Sequence, residues 1–440
     1  MIASGSSTNA LTRRFPAFES VDYRRLWMSS GFSAASSWML ILARGWLVFE
    51  LSDSTTAVGI VTFAGFIPLA TVGPLGGALA DRFDRRRLAV FSTLGVTVAQ
   101  LVLAALALSG TIEVWQVTVI ALLGGSAGSL GLPAQDAILP SLLRRPDHLL
   151  NGVALAGIAR HGSRLLGPTF GAALLATAGA GYAFLLAAAF LSLSAWQLYR
   201  ISFRPNANDP VATSEKRTSF WRGIMQDLAQ GVAYIERDPR LVLVVVLVTL
   251  HCALTMAFDS MMPTLATIVG GASRVYGATI VGLGVGAVVG TIVLSMLGNT
   301  PVKGASLAAA GVVSGVAMVV MGVAPTPAIV IVGAILAGGS QSAFVVLSTT
   351  FIQQITADAF RGRVLSIYTM LTVGHMAFLN FGFGWVADGV GVRVLLIVPG
   401  LLWVALFGIA VLLLPELRHV LRRGDFRPRS MGFAAVPDGE

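Results

Sequence analysis

Arg44, Arg160 and Arg164 stand inside long apolar runs, as do His161, His251 and His375 and the acids Glu50 and Asp259. A guanidinium at a membrane centre costs about 2.5 to 3.5 kcal/mol on insertion scales, so each arginine needs an acid, water or a ligand. Helical spacing sharpens the point: at about 100° per residue, Arg160, Arg164, Gly167 and Gly171 fall within an arc of roughly 60°. Both arginines therefore face a bundle interior or a cavity. A cavity with more arginine than acid repels cations and accepts neutral or anionic organic molecules. Arg44, Arg160 and Arg164 are the candidates for contact with such a ligand, and ion pairs to Glu50 or Asp259 are the purely structural alternative. Proton handling needs a group that titrates when it faces each side in turn. The mid-depth histidines His161, His251 and His375 are candidates, as are Glu50 and Asp259 nearer the span ends, although a lone histidine is also a common packed, hydrogen-bonded side chain.

Other chemistries lack their residues. A Walker A loop needs lysine after glycine, but the only lysines, Lys216 and Lys303, follow Glu215 and Val302. The GGSAG segment at 124–128 fits the nucleophile-elbow pattern but lies inside an apolar run, where packing explains it. No HExxH or Cys/His cluster points to a metal, and no cofactor is implied. Cys252 is the single cysteine and can form no intrachain disulfide. The chain therefore does not read as an enzyme.

The elements that position these residues are membrane spans. Of 440 residues 55% are hydrophobic and only 12% charged, and the mean hydropathy is +0.80. Runs of roughly 20 apolar residues, enough to cross about 30 Å of hydrocarbon, recur along the chain, and in lipid they must be helices. Twelve are expected, among them 57–80, 152–177, 239–263 and 362–386. They divide six and six around a hydrophilic stretch: an N-terminal segment at 1–26, a first half at 27–202, a linker at 203–238, a second half at 239–415 and a tail at 416–440. The linker's SFWRGIMQDLAQGVAYI spaces its apolar residues as a helix lying on the membrane surface would. Twenty-five of the 30 Lys and Arg fall in the termini and alternate loops. That asymmetry is the positive-inside signature, so both termini are expected in the cytoplasm. The net charge of +9 then reports topology and not a nucleic-acid partner. The polar N-terminus has no apolar core with a cleavage site, so no removable signal peptide is expected. Shifting the fifth span by 210 residues lays it over the eleventh with matching hydropathy, as a duplicated half would.

Between the second and third spans the chain reads Gly77-Ala-Leu-Ala-Asp81-Arg82-Phe-Asp84-Arg85-Arg86. With twelve spans, a six-plus-six division and inside termini, this resembles the major facilitator superfamily, whose loop at this point carries G-x-L-A-D-R/K-x-G-R-R/K. Asp84 stands where that pattern has Gly, and the turn is expected to tolerate it because Asp enters left-handed and turn conformations. RGRV at 361–364, PAQDAILPSLL at 133–143 and SRLLGPTFGA at 163–172 are similar to the bacterial exporter branch that includes enterobactin exporters and drug:proton antiporters, with Gln135 where that branch has Arg.

The resemblance implies an all-α protein of the bacterial cytoplasmic membrane, monomeric in the lipid bilayer. It would export a small amphiphilic molecule by alternating access in exchange for protons. Arg44, Arg160 and Arg164 would then contact substrate, and Gly167, Pro168 and Gly171 would form a hinge, since they match the antiporter pattern G-P-x-x-G-G. A cytoplasmic gate would comprise Gly77, Asp81, Arg82, Arg85, Arg86, Asp136, Arg361 and Arg363. In it Asp81 would meet the start of the eleventh helix, and Asp136 would accept Arg82 or Arg85. An importer of sugar or another nutrient is the alternative within the family, and a non-transporting receptor or scaffold the one outside it.

Overall fold

The computed structural model describes residues 15–80, 82–202, 220–296 and 302–426. All regular structure among these residues is helical. In chain order the helices are α1 (Val21–Ser52), α2 (Thr55–Ala80), α3 (Arg85–Ser109), α4 (Val114–Leu142), α5 (Leu149–Thr177), α6 (Ala180–Tyr199), α7 (Phe220–Glu236), α8 (Pro239–Ile268), α9 (Ala272–Met296), α10 (Val302–Val323), α11 (Pro327–Ile355), α12 (Asp358–Val390), α13 (Val392–Leu413) and α14 (Pro415–Arg423).

Eleven of these are long and apolar enough to cross a membrane. The remaining expected span, the fifth, is α5, which is 29 residues long, about 43 Å at 1.5 Å per residue. It is not among the eleven, and it is the helix that carries Arg160, His161 and Arg164. Large apolar side chains point outward, as in Trp115, Leu123, Trp385 and Leu412, the last 73% exposed. A surface of this kind suits lipid and not water.

Local chemistry sets the helix ends. Ser20 starts α1, its Oγ accepting from Tyr23 N at 3.2 Å, so this helix begins six residues before the expected 27. Asp84 does not occupy a left-handed turn. Its φ is −57°, and its carboxylate caps α3 by accepting from Arg87 N at 2.9 Å. Asp is favoured there because its side chain satisfies an orphan N–H of the first turn. Helices also outrun the apolar patterns, so Asp22, Asp136 and Asp388 join Glu50 and Asp259 as acids on spanning helices.

Helices α1 to α6 pack on one another, and α8 to α14 do the same. The two bundles meet along two seams, α2 against α12 and α5 against α9. Glycines permit the second seam, since a Cβ on Gly284 would strike the Arg164 carbonyl. Two helices are interrupted where they line these seams. In α2 the break falls at Val72, after Pro68. In α8, helix runs to Thr255 and resumes at Met262, with a single turn at Asp259–Met261 between. Groups freed by this break find partners on neighbours: Gln341 Nε2 donates to Thr255 O, and Ser260 N donates to Asn380 Oδ1 at 3.2 Å. Helix α7 docks on the start of α12, with Tyr234 stacked on Phe360 at 4.4 Å and Asp227 paired with Arg363 at 3.0 Å. The end of the molecule bearing α7 is the linker end, and the opposite one the far end.

Candidate functional site

A cavity of about 310 Å³ lies in the first bundle between α1, α2, α3 and α4. Arg44 lines it and is the only ionisable residue among the described ones that does. Its Nε donates to Leu40 O at 3.3 Å, one turn back on its own helix. Across from it, α2 offers Gly65, where a Cβ would come 3.3 Å from Nη1, so a bare backbone makes the room the guanidinium occupies. No carboxylate of the described residues pairs with Arg44. Gln100 of α3 also lines the cavity, is 3% exposed, and makes no hydrogen bond with any described residue. The lining hydroxyls of Ser37, Ser92, Thr93 and Ser129 each donate to a backbone carbonyl, leaving only their acceptor lone pairs for a ligand.

The other two arginines lie elsewhere. Arg160 pairs with Asp136 of α4 at 2.7 Å, both half-exposed, so its charge is already answered within the first bundle. Asp136 accordingly holds Arg160. Arg164 lies on the α5 seam, its guanidinium over the Trp38 ring at 4.5 Å and its Nη1 at 3.3 Å from Ser342 Oγ on α11 of the other bundle. The carboxylate that acts on it electrostatically is Asp259, which lies in the α8 break. The Asp259 carboxylate makes no hydrogen bond or close ion pair with the described residues. Gly167 and Gly171 turn toward α1, where Ala35 and Met39 occupy the space a Cβ would need, and α5 runs unbroken through Pro168.

The remaining candidates scatter. His251 is fully buried inside the second bundle, bonded through Nε2 to Ser314 Oγ at 3.0 Å and stacked on Phe344 at 4.1 Å. His375 is exposed on α12, with Nδ1 on its own helix at Leu371 O, 2.7 Å away. Glu50 is exposed at the far end of α1. The His161 side chain and Asp81 lie outside the described residues. Of the other gate candidates, Arg82 and Arg361 are exposed at the linker end, and a Cβ on Gly77 would meet open space. Arg85 donates to Ala80 O and Ala137 O, and Arg86 to Tyr199 O, all within the first bundle. Arg363 is held by Asp227 of α7.

Sequence reasoning missed two groups. Gln100 was legible as a lone amide in AQLVLAALAL. Asp388 lay two residues beyond the expected end of the eleventh span, and it joins the bundles at the far end. Its carboxylate accepts from Ser54 Oγ at 2.8 Å, Thr56 Oγ1 at 2.7 Å, Thr55 N at 2.9 Å and Thr56 N at 3.2 Å. It thus caps the N-terminus of α2 from the opposite bundle. Thr55 and Thr264 meet hydroxyl to hydroxyl at 2.8 Å, and Phe63 packs on Phe378 at 5.2 Å. On the second seam, contact runs from Ala172 with Gly277 to Arg164 with Gly284. Toward the linker end a Cβ on Gly157 or Gly162 of α5 would meet open space, and Met296 at the end of α9 is 78% exposed.

Two helical bundles in a lipid-facing shell, joined along two seams beside a polar cavity, make the architecture of a membrane transporter. The chain belongs to the transmembrane secretion effector family of the major facilitator superfamily, whose family model matches residues 12–428. It is 29% identical to the uncharacterized MFS-type transporter YfiS of Bacillus subtilis over 48% of this chain, and it spans about half (49%) of that relative's length. Macrolide efflux protein A of Streptococcus pyogenes is 21% identical over 78% of this chain and 83% of its own. The multidrug efflux pump Tap of Mycobacterium tuberculosis is 26% identical over 46% of this chain and 48% of its own. Among solved structures, a peptide transporter POT in complex with sulfate superposes with a TM-score of 0.71 at 13% identity, covering 92% of this chain and 96% of that one. A D-xylose-proton symporter does so with a TM-score of 0.64 at 14% identity, covering 90% and 98%. At such identities these two report the fold alone.

Proposed function

We propose that this protein exports a small amphiphilic organic molecule across a bacterial cytoplasmic membrane, by alternating access and in exchange for protons. The observation that carries this reading is the asymmetry of the seams: Asp388 and the Thr55–Thr264 pair tie the far end together, whereas toward the linker end a Cβ on Gly157 or Gly162 of α5 would meet open space and Met296 at the end of α9 is exposed. The linker end is cytoplasmic in this reading, as the arginine distribution argues, so the structure is the inward-facing state. Substrate enters the first-bundle cavity beside Arg44 from inside. The bundles then rock about the seams, parting at the far end and closing at the linker end. Arg164 and Asp259 change neighbours in that motion, because they belong to opposite bundles, and a coupling group must do the same. Asp259 is accordingly assigned the proton, and the buried His251 a structural role. The relatives named for efflux favour export over import.

Vesicles of both orientations test the direction. Everted vesicles bearing the protein and energised by respiration should accumulate a fluorescent amphiphile, and collapsing the pH gradient should release it. Accumulation in right-side-out vesicles alone would make the protein an importer.

A further inference from the structure

The cavity in the first bundle has two poles, and together they describe a ligand. One pole is Arg44, a cation with no carboxylate partner among the described residues. Its Nε bond to Leu40 O leaves both terminal nitrogens uncommitted. The other is Gln100, on the facing helix, whose amide is 3% exposed and whose Oε1 is enclosed with no donor. A buried amide without hydrogen bonds carries a desolvation cost that an apolar side chain in its place would avoid. A ligand acceptor on its Nε2, which is not enclosed, offsets part of that cost. The walls between the poles are mostly apolar and include Leu40, Val61, Phe66 and Val96. At about 310 Å³ the space is near the lower limit of the roughly 300–1,000 Å³ that ligand pockets span.

We infer that this cavity is a substrate site for a compact organic anion that also carries a hydrogen-bond acceptor: its carboxylate or equivalent acid group lies on Arg44, its apolar body between α2 and α4, and its hydroxyl or carbonyl oxygen on Gln100 Nε2. The inference rests on the transporter reading and deepens it by naming the substrate class. Lipophilic cations are excluded from this site, since among the described residues its only charge repels them and no acid lines it.

Four naphthalenes of one size separate the terms: a hydroxynaphthoate with its hydroxyl on the ring remote from the acid, naphthoate, naphthol and naphthylmethylammonium. Purified full-length protein in detergent, titrated by calorimetry, should bind them in that order. Hydroxynaphthoate should exceed naphthoate about tenfold, and naphthoate should exceed naphthol about tenfold. Arg44→Gln should bring both anions down to their uncharged counterparts, while Arg44→Lys, which keeps the charge and reports on folding, retains part of the preference. Gln100→Leu should abolish the first step and leave the second. Equal binding of all four, no binding of any, tighter binding of the ammonium, or an anion preference that survives Arg44→Gln overturns the assignment. Binding is independent of direction and coupling. Failure of efflux in energised vesicles with the binding order intact would therefore remove the export reading and leave the site, and efflux of other compounds without this order would do the reverse.

Discussion

A guanidinium held between two rigid bodies reports on their relative position, and Arg164 is in that place. It touches Trp38 of its own bundle and Ser342 of the other, within the field of Asp259 at the α8 break. If the closed far seam uses this pair, its loss alters the balance between states more than the affinity of the cavity, which Arg164 does not line. We predict that Arg164→Gln and Asp259→Asn each slow proton-driven uptake into everted proteoliposomes about tenfold, with ligand affinity within about twofold of the parent. The double variant should be no slower than the slower single one, because each change already breaks the same interaction. Multiplicative losses would mean that the two residues act separately. Arg160 gives the contrast. Its partner Asp136 belongs to the same bundle and both are half-exposed, so Arg160→Ala should cost at most about 1 kcal/mol of stability, read by thermal melting. The sequence showed all three arginines as anomalies, but it could not separate them, since only tertiary position decides which neighbour each one finds.

At the scale of elements, hydropathy located most helices to within a few residues and misplaced the ends that matter. Apolar runs stop where lipid stops, whereas helices continue until a cap or a glycine ends them. Thus α12 runs on to Val390, where Gly391 follows with φ +91°, and the extension carries Asp388 to the start of α2. The α8 break was equally hidden, because its residues are apolar enough to read as one uninterrupted span and the side chains that satisfy it, Gln341 and Asn380, come from α11 and α12. Asp388 gives α2 a cap from the opposite bundle, and caps contribute about 0.5 to 2 kcal/mol. Asp388→Ala should therefore shift the two-state balance roughly fivefold toward an open far end. The check is labelling of Thr264→Cys, in a Cys252→Ser background, by a membrane-impermeant maleimide applied from outside. Labelling should rise severalfold in the Asp388→Ala protein, and an unchanged rate would show that the cap does not hold the seam.

For the molecule as a whole, the family pattern at 77–86 and the composition sufficed to expect an all-helical, multi-span transporter, because lipid leaves the backbone few other choices. What they left open was the state of the seams, which depends on contacts between residues roughly 100 to 330 positions apart. Asp388 at the far end of α12 closes that end on the start of α2, and Asp81, outside the described residues, is expected to meet the start of α12 when the linker end closes. If so, the molecule alternates between two caps, and Asp81→Asn should slow transport while leaving insertion into the membrane unchanged. Locking one end gives the more direct test of rocking. Thr55 and Thr264 stand with their hydroxyls 2.8 Å apart, so cysteines at both positions in the Cys252→Ser background should oxidise to a disulfide without moving either helix far. The crosslinked protein should bind ligand as the parent does, because its cavity is not touched, yet its transport should fall to the level of empty vesicles and return on reduction. Transport that continues at the uncrosslinked rate would mean that the far seam never parts, and the substrate would then have to leave by a route other than the one between the bundles.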